Sequence, residues 1–259
     1  YDAIHSHEEA GVLGVLLSKL LRLPPLYDMH SSLPQQLANF ESTRSGVVRA
    51  VFDRAERLMI GGSGVVITIC QDLQDTVVAM GAGEKAILIE NVMGGDVSPE
   101  AGPGREAVRA RWGIAADAPL VLYTGTFEPY QGLDLLVEAA AQVATTHPHA
   151  RVLVAGGAPD QVAALRARVE ALRAPVVLTG QRPPEEIPHL VEACDILASP
   201  RISGTNTPLK IYSCLRSGRP ILATDLHTHT QVLSPAVSLL VAPTVEGFAE
   251  GLRRLIDDP

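Results

Sequence analysis

The sequence predicts an α/β protein of two successive segments, each a set of parallel strands covered by helices, and three observations carry that expectation. Hydrophobic residues make up 46% of the 259 residues and aromatic ones only 4%, so aliphatic side chains supply the apolar content, as in buried strands with covering helices. Short apolar runs of strand length alternate with longer stretches at helical spacing. Pro and Gly fall mostly between these runs, where turns belong.

Residues 2–7 read as a buried strand. Residues 9–21 read as a helix on which Val12, Leu13, Leu16, Leu17 and Leu20 share one face, stopped by Pro24 and Pro25. Strand 26–30, helix 47–60, strand 65–70, helix 72–80 and strand 86–90 follow. Over 91–104 the pattern lapses into Gly, Pro, Ser and acidic residues, which places a boundary between a first domain of residues 1–97 and a second of 98–259. A new cycle then runs through helix 105–112, strand 120–123, helix 133–145, strand 151–155, helix 161–172 and strand 176–178. It continues with helix 187–193, strand 196–198, helix 209–216, strands 220–223 and 238–241, and helix 245–256. Such alternation predicts a parallel sheet in each segment. The chain opens at Tyr1 in a strand-like run and closes on Asp257, Asp258 and Pro259, so it reads as part of a longer protein.

The formal net charge of −8 argues against a broad nucleic-acid footprint. Arg44, Arg49, Arg54 and Arg57 gather in one stretch, but Glu41, Asp53 and Glu56 interleave with them, the pattern of a solvated helix face. The alternative for that stretch is a patch for peripheral association with a membrane. Cys70, Cys194 and Cys214 stand far apart without zinc or redox spacing, which fits free thiols in a reducing cytosol. No apolar run approaches the roughly 18 residues that span a bilayer, and no signal peptide is visible. The expected location is cytoplasmic, with the inner face of the membrane as the place of any association.

In open parallel sheets ligands sit beyond the carboxyl ends of the strands, which directs attention to the loops there. The loop after strand 120–123 runs from Gly125 through Thr126 and Gln131 to Gly132. Strand 151–155 ends in Gly156 and Gly157, whose missing side chains permit close approach of a base or sugar, with an ordinary turn as the other reading. Glu185 and Glu186 fall in the first turn of a helix and complement its dipole. The richest stretch is 195–231, where a strand ends at Pro200 and a small-residue loop leads to a helix starting near Leu209. The loop from Thr205 through Asn206, Thr207 and Pro208 to Leu209 offers main-chain donors at a helix N-terminus, a candidate anion site, and Lys210 or Arg201 supplies positive charge.

These loops, in this order, resemble glycosyltransferase family 4, a retaining group with the GT-B fold. Residues 125–132 are similar to its GR-xxxx-KG loop, whose two cations lie against the donor diphosphate; Thr126 and Gln131 stand at those places. Loop 179–186 is similar to the segment in which Gln181 and Arg182 would flank the nucleobase. Residues 213–224 resemble the end of the EX7E region. Counting back from Gly218 puts its glutamates on Ser213 and Thr205, so hydroxyls replace a carboxylate that binds the ribose and one that binds the donor sugar. The stretch DAIHSHEEAGVLG resembles the strand ending in a histidine that faces the interdomain cleft, which implies His7 beside the donor sugar and acceptor. His30 ends the neighbouring strand and would face the acceptor, and His5 is expected to be a satisfied core histidine.

The resemblance thus implies an α/β GT-B protein of two Rossmann-like parallel-sheet domains, the first incomplete and acceptor-side, the second donor-binding. It implies transfer of a hexosyl group from a nucleotide diphosphate sugar to a hydroxyl of a glycan or lipid-linked acceptor, in polysaccharide biosynthesis, with retention and without a metal or other cofactor. His7 and Lys210 would be catalytic. Gly125, Thr126, Gln131, Gly156, Arg182, Arg201, Thr205, Asn206, Thr207, Pro208, Leu209 and Ser213 would hold the donor. The four replaced charges motivate an alternative, a non-catalytic nucleotide-sugar-binding subunit. A rival from another class is a metal hydrolase built on His5 and His7 with Asp28 or His30, but the remaining histidines do not follow the strand ends of such a barrel.

Overall fold

The computed structural model describes residues 1–34, 37, 46–90, 102–204 and 207–258. They divide into two compact units near residue 92. Most of the expected linker, and Thr205 and Asn206 among the expected donor residues, lie outside the described residues.

In the first unit, β1 (Ile4–His7), β2 (Pro25–Met29), β3 (Val65–Thr68) and β4 (Ala86–Leu88) form a parallel sheet in chain order. The helices are α1 (Gly11–Leu21), α2 (Gly46–Gly62) and α3 (Gln71–Ala79). Tyr27, Met29, Met59, Ile60, Val66, Leu73 and Val77 make the core.

Two expectations are corrected here. Helix α1 packs through its small residues: a Cβ on Gly14 would lie 2.5 Å from Ser6 Oγ, and one on Gly11 2.7 Å from Met59 Sδ. Close approach of backbone to strand therefore selects the face of Gly11, Gly14, Val15 and Ser18, and Leu13, Leu16, Leu17 and Leu20 are exposed. Strand β1 is buried on one side alone, where Ser6 points inward while His5 and His7 are exposed. Alternation along an extended strand puts the two histidines on the same side, so His5 is no core residue.

In the second unit, β5 (Leu120–Thr124), β6 (Arg151–Ala155), β7 (Val176–Gly180), β8 (Ile196–Ser199), β9 (Ile221–Thr224) and β10 (Leu239–Val241) form a parallel sheet of order β10-β9-β8-β5-β6-β7. The helices are α4 (Arg105–Arg111), α5 (Leu133–Val143), α6 (Pro159–Leu172), α7 (Ile187–Ala193), α8 (Lys210–Ser217), α9 (His227–Thr230) and α10 (Val245–Asp257). The central strands are buried on both faces, as parallel sheets require. On β5, Val121 and Tyr123 join one core with Leu136, Val137, Phe248 and Leu252. Leu120 and Leu122 join the other with Val108, Leu190 and Ile211.

The four-residue α9 was not expected from the sequence, and α6 begins at Pro159, two residues early, because proline suits the first helical position. At the amino ends of β5 and β8 the buried Arg109 donates from Nε to Ala193 O (2.9 Å) and from Nη2 to Asp195 Oδ2 (2.7 Å). Its Nη1 donates to the Ala116 and Ala118 carbonyls at 2.8 Å each. Asp195 also pairs with Arg105 and accepts from the Leu120 amide. Burial works against its charge, but these donors prevail and hold the carboxyl below its ordinary pKa.

Candidate functional site

The chain leaves β5 toward β6 and β7 on one side and returns to β8, β9 and β10 on the other. Ligands bind where strand order reverses in this way, because the loops diverge there and leave a crevice. A cleft of about 600 Å³ opens beyond β5, β6 and β7, with Thr126, Glu128, Gly156, Gln161, Gln181 and Arg182 in its wall.

The loop after β5 begins with Gly125, whose amide donates to Ala155 O at 3.0 Å, and Gly156 in turn donates to Gly180 O at 2.9 Å. A Cβ on Gly156 would lie 1.8 Å from the Gly125 carbonyl oxygen, and one on Gly157 2.5 Å from the Phe127 ring. The sequence leaves this glycine pair open between a turn and the close approach of a ligand. The structure shows close approach of the protein to itself, which brings the β5 and β6 loops together as one wall of the cleft.

Thr126 and Gln131 are neighbours, with Gln131 Nε2 donating to Thr126 Oγ1 at 3.5 Å. Gln131 is buried, and its Oε1 has no partner among the described residues. The Tyr123 hydroxyl donates to Thr126 O at 2.7 Å. Arg182 is paired with Glu186 (3.2 Å) and stands 5.9 Å above the Trp112 ring, so its guanidinium enters the cleft wall already oriented.

Lys210 opens α8, and its Nζ is sealed from solvent without a hydrogen-bond partner among the described residues. A Cβ built on Gly125 would stand 3.8 Å from that nitrogen, so the amine lies directly behind a cleft residue. Burial pulls its pKa down to about 7, with Cys214 opposing and Arg201 adding to the shift. Arg201 is buried, donates to Thr228 Oγ1 at 2.6 Å and lies 5.0 Å from the Tyr130 ring. Burial lowers its pKa as well, and its Nη1 is engaged within the fold.

Leu209 is the exposed N-cap residue of α8 and contributes no side-chain cap. Pro208 and Thr207 are buried, and the Thr207 and Ser213 hydroxyls are sealed without partners among the described residues. His229 is fully buried: its Nδ1 lies 2.8 Å from Thr224 O and its Nε2 2.8 Å from Ser199 Oγ. A carbonyl only accepts, so Nδ1 carries the proton and Nε2 accepts from the serine. Burial pushes the His229 pKa to about 4.

Of the expected donor residues, Gly125, Thr126, Gly156 and Arg182 share the cleft wall, while Gln131, Arg201, Thr207 and Pro208 are buried and Ser213 is half-buried. Sequence reasoning passed over Glu128 and Gln161. Glu128 is a carboxylate in the cleft wall that accepts from Gln161 Nε2 at 3.4 Å, and Gln161 Oε1 takes the Ala158 amide at 3.0 Å. The signal was an acid within a strand-end loop, outweighed there by the family's two cation positions.

In the first unit, β1 and β2 pair in register with His7 opposite Asp28, and His30 follows β2. The His7 and His30 ring centroids are 4.3 Å apart. Asp28 lies 3.2 Å from His30 Nε2 and 3.6 Å from His5 Nε2. Between His7 and α1, Glu8 adopts φ +50° and accepts from Ser31 Oγ at 2.8 Å.

The family model described as "Glycosyl transferases group 1" matches residues 118–258, more than half of the chain. The chain belongs to this family. It is 27% identical over its whole length to a D-inositol 3-phosphate glycosyltransferase of Nocardia farcinica, covering 59% of that protein. It is 24% identical over 99% of its length to an alpha-D-kanosaminyltransferase of Streptomyces kanamyceticus, covering 68% of it. Among solved structures it superposes on Anabaena HepE in complex with UDP with a TM-score of 0.82, at 23% identity, covering all of this chain and 70% of that one. Sucrose-phosphate synthase of Thermosynechococcus elongatus follows with a TM-score of 0.75 at 20% identity, again over the whole chain and 65% of that one. The fold class is that of GT-B glycosyltransferases. The group 1 chain described here spans about three fifths of the length of the first two curated relatives, 59% and 64%. No helix among its described residues is long and apolar enough to cross a membrane.

Proposed function

We propose that the full protein transfers a hexosyl group from a nucleotide diphosphate sugar to a hydroxyl acceptor, with retention and without a metal ion in the transfer step. The observation that carries this reading is the partnerless Lys210 amine sealed behind Gly125, at the edge of the cleft beyond β5, β6 and β7. A diphosphate leaving group gathers negative charge as the glycosidic bond breaks, and a preorganised cation stabilises it. The second unit would hold the donor, with Gln181 and Arg182 at the base. Solved relatives of this fold are described in complex with UDP and with UDP-glucose, so uridine diphosphate is the first ligand to test. His7 is proposed to orient the acceptor hydroxyl, and His30 to contact the acceptor. A glycan or a lipid-linked sugar is the proposed acceptor, and the site of action the cytoplasmic side, at the membrane surface where the acceptor is lipid-linked.

The second reading is a binding subunit without catalysis, favoured by Thr126, Gln131, Thr205 and Ser213, none of which carries charge. Calorimetry with UDP and GDP on the full-length protein, followed by a donor-hydrolysis assay, separates the two. Nucleotide binding with turnover of a donor supports the transferase, and binding without turnover of any donor or acceptor supports the subunit. An absence of nucleotide binding rejects both. His7→Gln is expected to keep UDP affinity within threefold while lowering turnover by about 10²-fold or more; equal loss of both would remove His7 from the reaction.

A further inference from the structure

We propose that His7, Asp28 and His30 form a binding site for a divalent transition-metal ion, zinc first among them. Their ligand-capable atoms all lie within 4.8 Å of one another, and among the described residues no other group of three His, Cys, Asp or Glu side chains meets that spacing. The placement follows from the sheet. His7 and Asp28 are register partners on adjacent parallel strands, and His30 lies two positions beyond Asp28, so the three side chains emerge on one side.

Two imidazoles and one carboxylate suit zinc, cobalt and nickel, and leave a position for water or another ligand. At metal–ligand distances of about 2.0–2.1 Å, donor atoms in a tetrahedral shell stand roughly 3.4 Å apart. The cluster must therefore contract by about 1.4 Å at most, and the exposed His7 ring supplies that movement by rotamer adjustment. The surroundings favour a cation. The Glu8 carboxylate acts electrostatically on both imidazoles. The second Asp28 oxygen faces His5 at 3.6 Å, a partner able to orient the carboxylate as outer groups do in metal sites.

A filled site ties up the His7 nitrogen, so the metal is an inhibitor of transfer and not a participant in it. This last step rests on the transferase reading; the binding itself does not.

The test is a titration of the full-length, chelator-dialysed protein with zinc by calorimetry and with cobalt by visible absorption, without nucleotide present. One saturable equivalent is expected, weakened at least tenfold in His7→Gln, in His30→Gln and in Asp28→Asn, with circular dichroism confirming that each variant is folded. His5→Gln, which removes only the group facing the second Asp28 oxygen, should weaken binding less than any of the three ligand variants. No saturable binding up to millimolar metal, or an isotherm unchanged in both the His7 and His30 variants, overturns the site. Inhibition of turnover should follow the binding isotherm; saturation without inhibition would instead overturn the catalytic placement of His7 and leave the metal site standing.

Discussion

Lys210 Nζ stands 3.9 Å from the centroid of the Tyr123 ring, so an aromatic face lies against the buried amine. A cation over a ring gains about 2 kcal/mol when desolvated, well short of what an ammonium loses on leaving water. The imbalance appears as the depressed pKa of about 7. The fold keeps an underpaired base at the edge of a cleft, where an anionic ligand could complete it.

Replacing Lys210 with Ala is therefore expected to weaken nucleotide diphosphate binding by roughly 1.5–3 kcal/mol, the range for a charge-assisted bond. Calorimetry with UDP reads this directly. Unchanged affinity would pass the role to Arg201.

Proton linkage gives a second prediction. The free Lys210 is mostly neutral above about pH 7, and a bound diphosphate raises its pKa. UDP binding at pH 8 should then take up close to one proton, and affinity should fall up to tenfold per unit as pH rises above 7, with no contribution from this group well below 7. Calorimetry in buffers of different ionisation heat measures the uptake, and its persistence in Lys210→Met would exclude Lys210 as the acceptor. The stability sign follows too. Between the folded value of about 7 and the ordinary 10.5, the folded state binds fewer protons than the unfolded chain, so this group makes stability rise with pH across that window.

His229 acts in the same direction at lower pH. Its folded pKa of about 4 lies below the ordinary 6.5, so the stability from a neutral, doubly hydrogen-bonded imidazole is present above pH 6.5 and is lost as the pH falls toward 4. Thermal melts from pH 7 to pH 4 should show this loss, and His229→Gln should flatten it. An equal slope in the variant would assign acid sensitivity elsewhere.

Arg109→Met should cost about 3–5 kcal/mol, since it strips a buried cation from four carbonyls and leaves Asp195 short of a partner. The residue works at the amino ends of the strands, away from the cleft, so UDP affinity in the folded variant should stay within threefold. Gly156→Ala makes the opposite pattern: a Cβ 1.8 Å from the Gly125 oxygen at φ +131° forces the loop pair apart. Nucleotide affinity is expected to fall at least tenfold, beyond what a loss of ~1–3 kcal/mol in stability accounts for. Wild-type affinity would show that the loop contact does not shape the cleft.

Much of the fold was legible because its signals are local. The runs at Val65, Leu120, Arg151 and Ile196 are short, apolar and bounded by turn residues, and each became a parallel strand. Helix α1 shows the limit. Its leucines satisfy the same periodicity as its buried face, and only the close approach permitted by Gly11 and Gly14 decided which face turned inward. Glu128 shows another, since a carboxylate in a loop acquires meaning only when the loops around it close a cleft.

The sequence by itself determined the strand and helix alternation, the parallel sheets, and the loops where chemistry would gather, because backbone preference and hydrophobic period are read over a few neighbouring residues. Tertiary structure alone decided that the Lys210 amine is sealed, that Gly156 packs on Gly125, and that His7, Asp28 and His30 converge. Those facts depend on groups far apart in the chain, whose distances and desolvation exist only once the sheets are assembled.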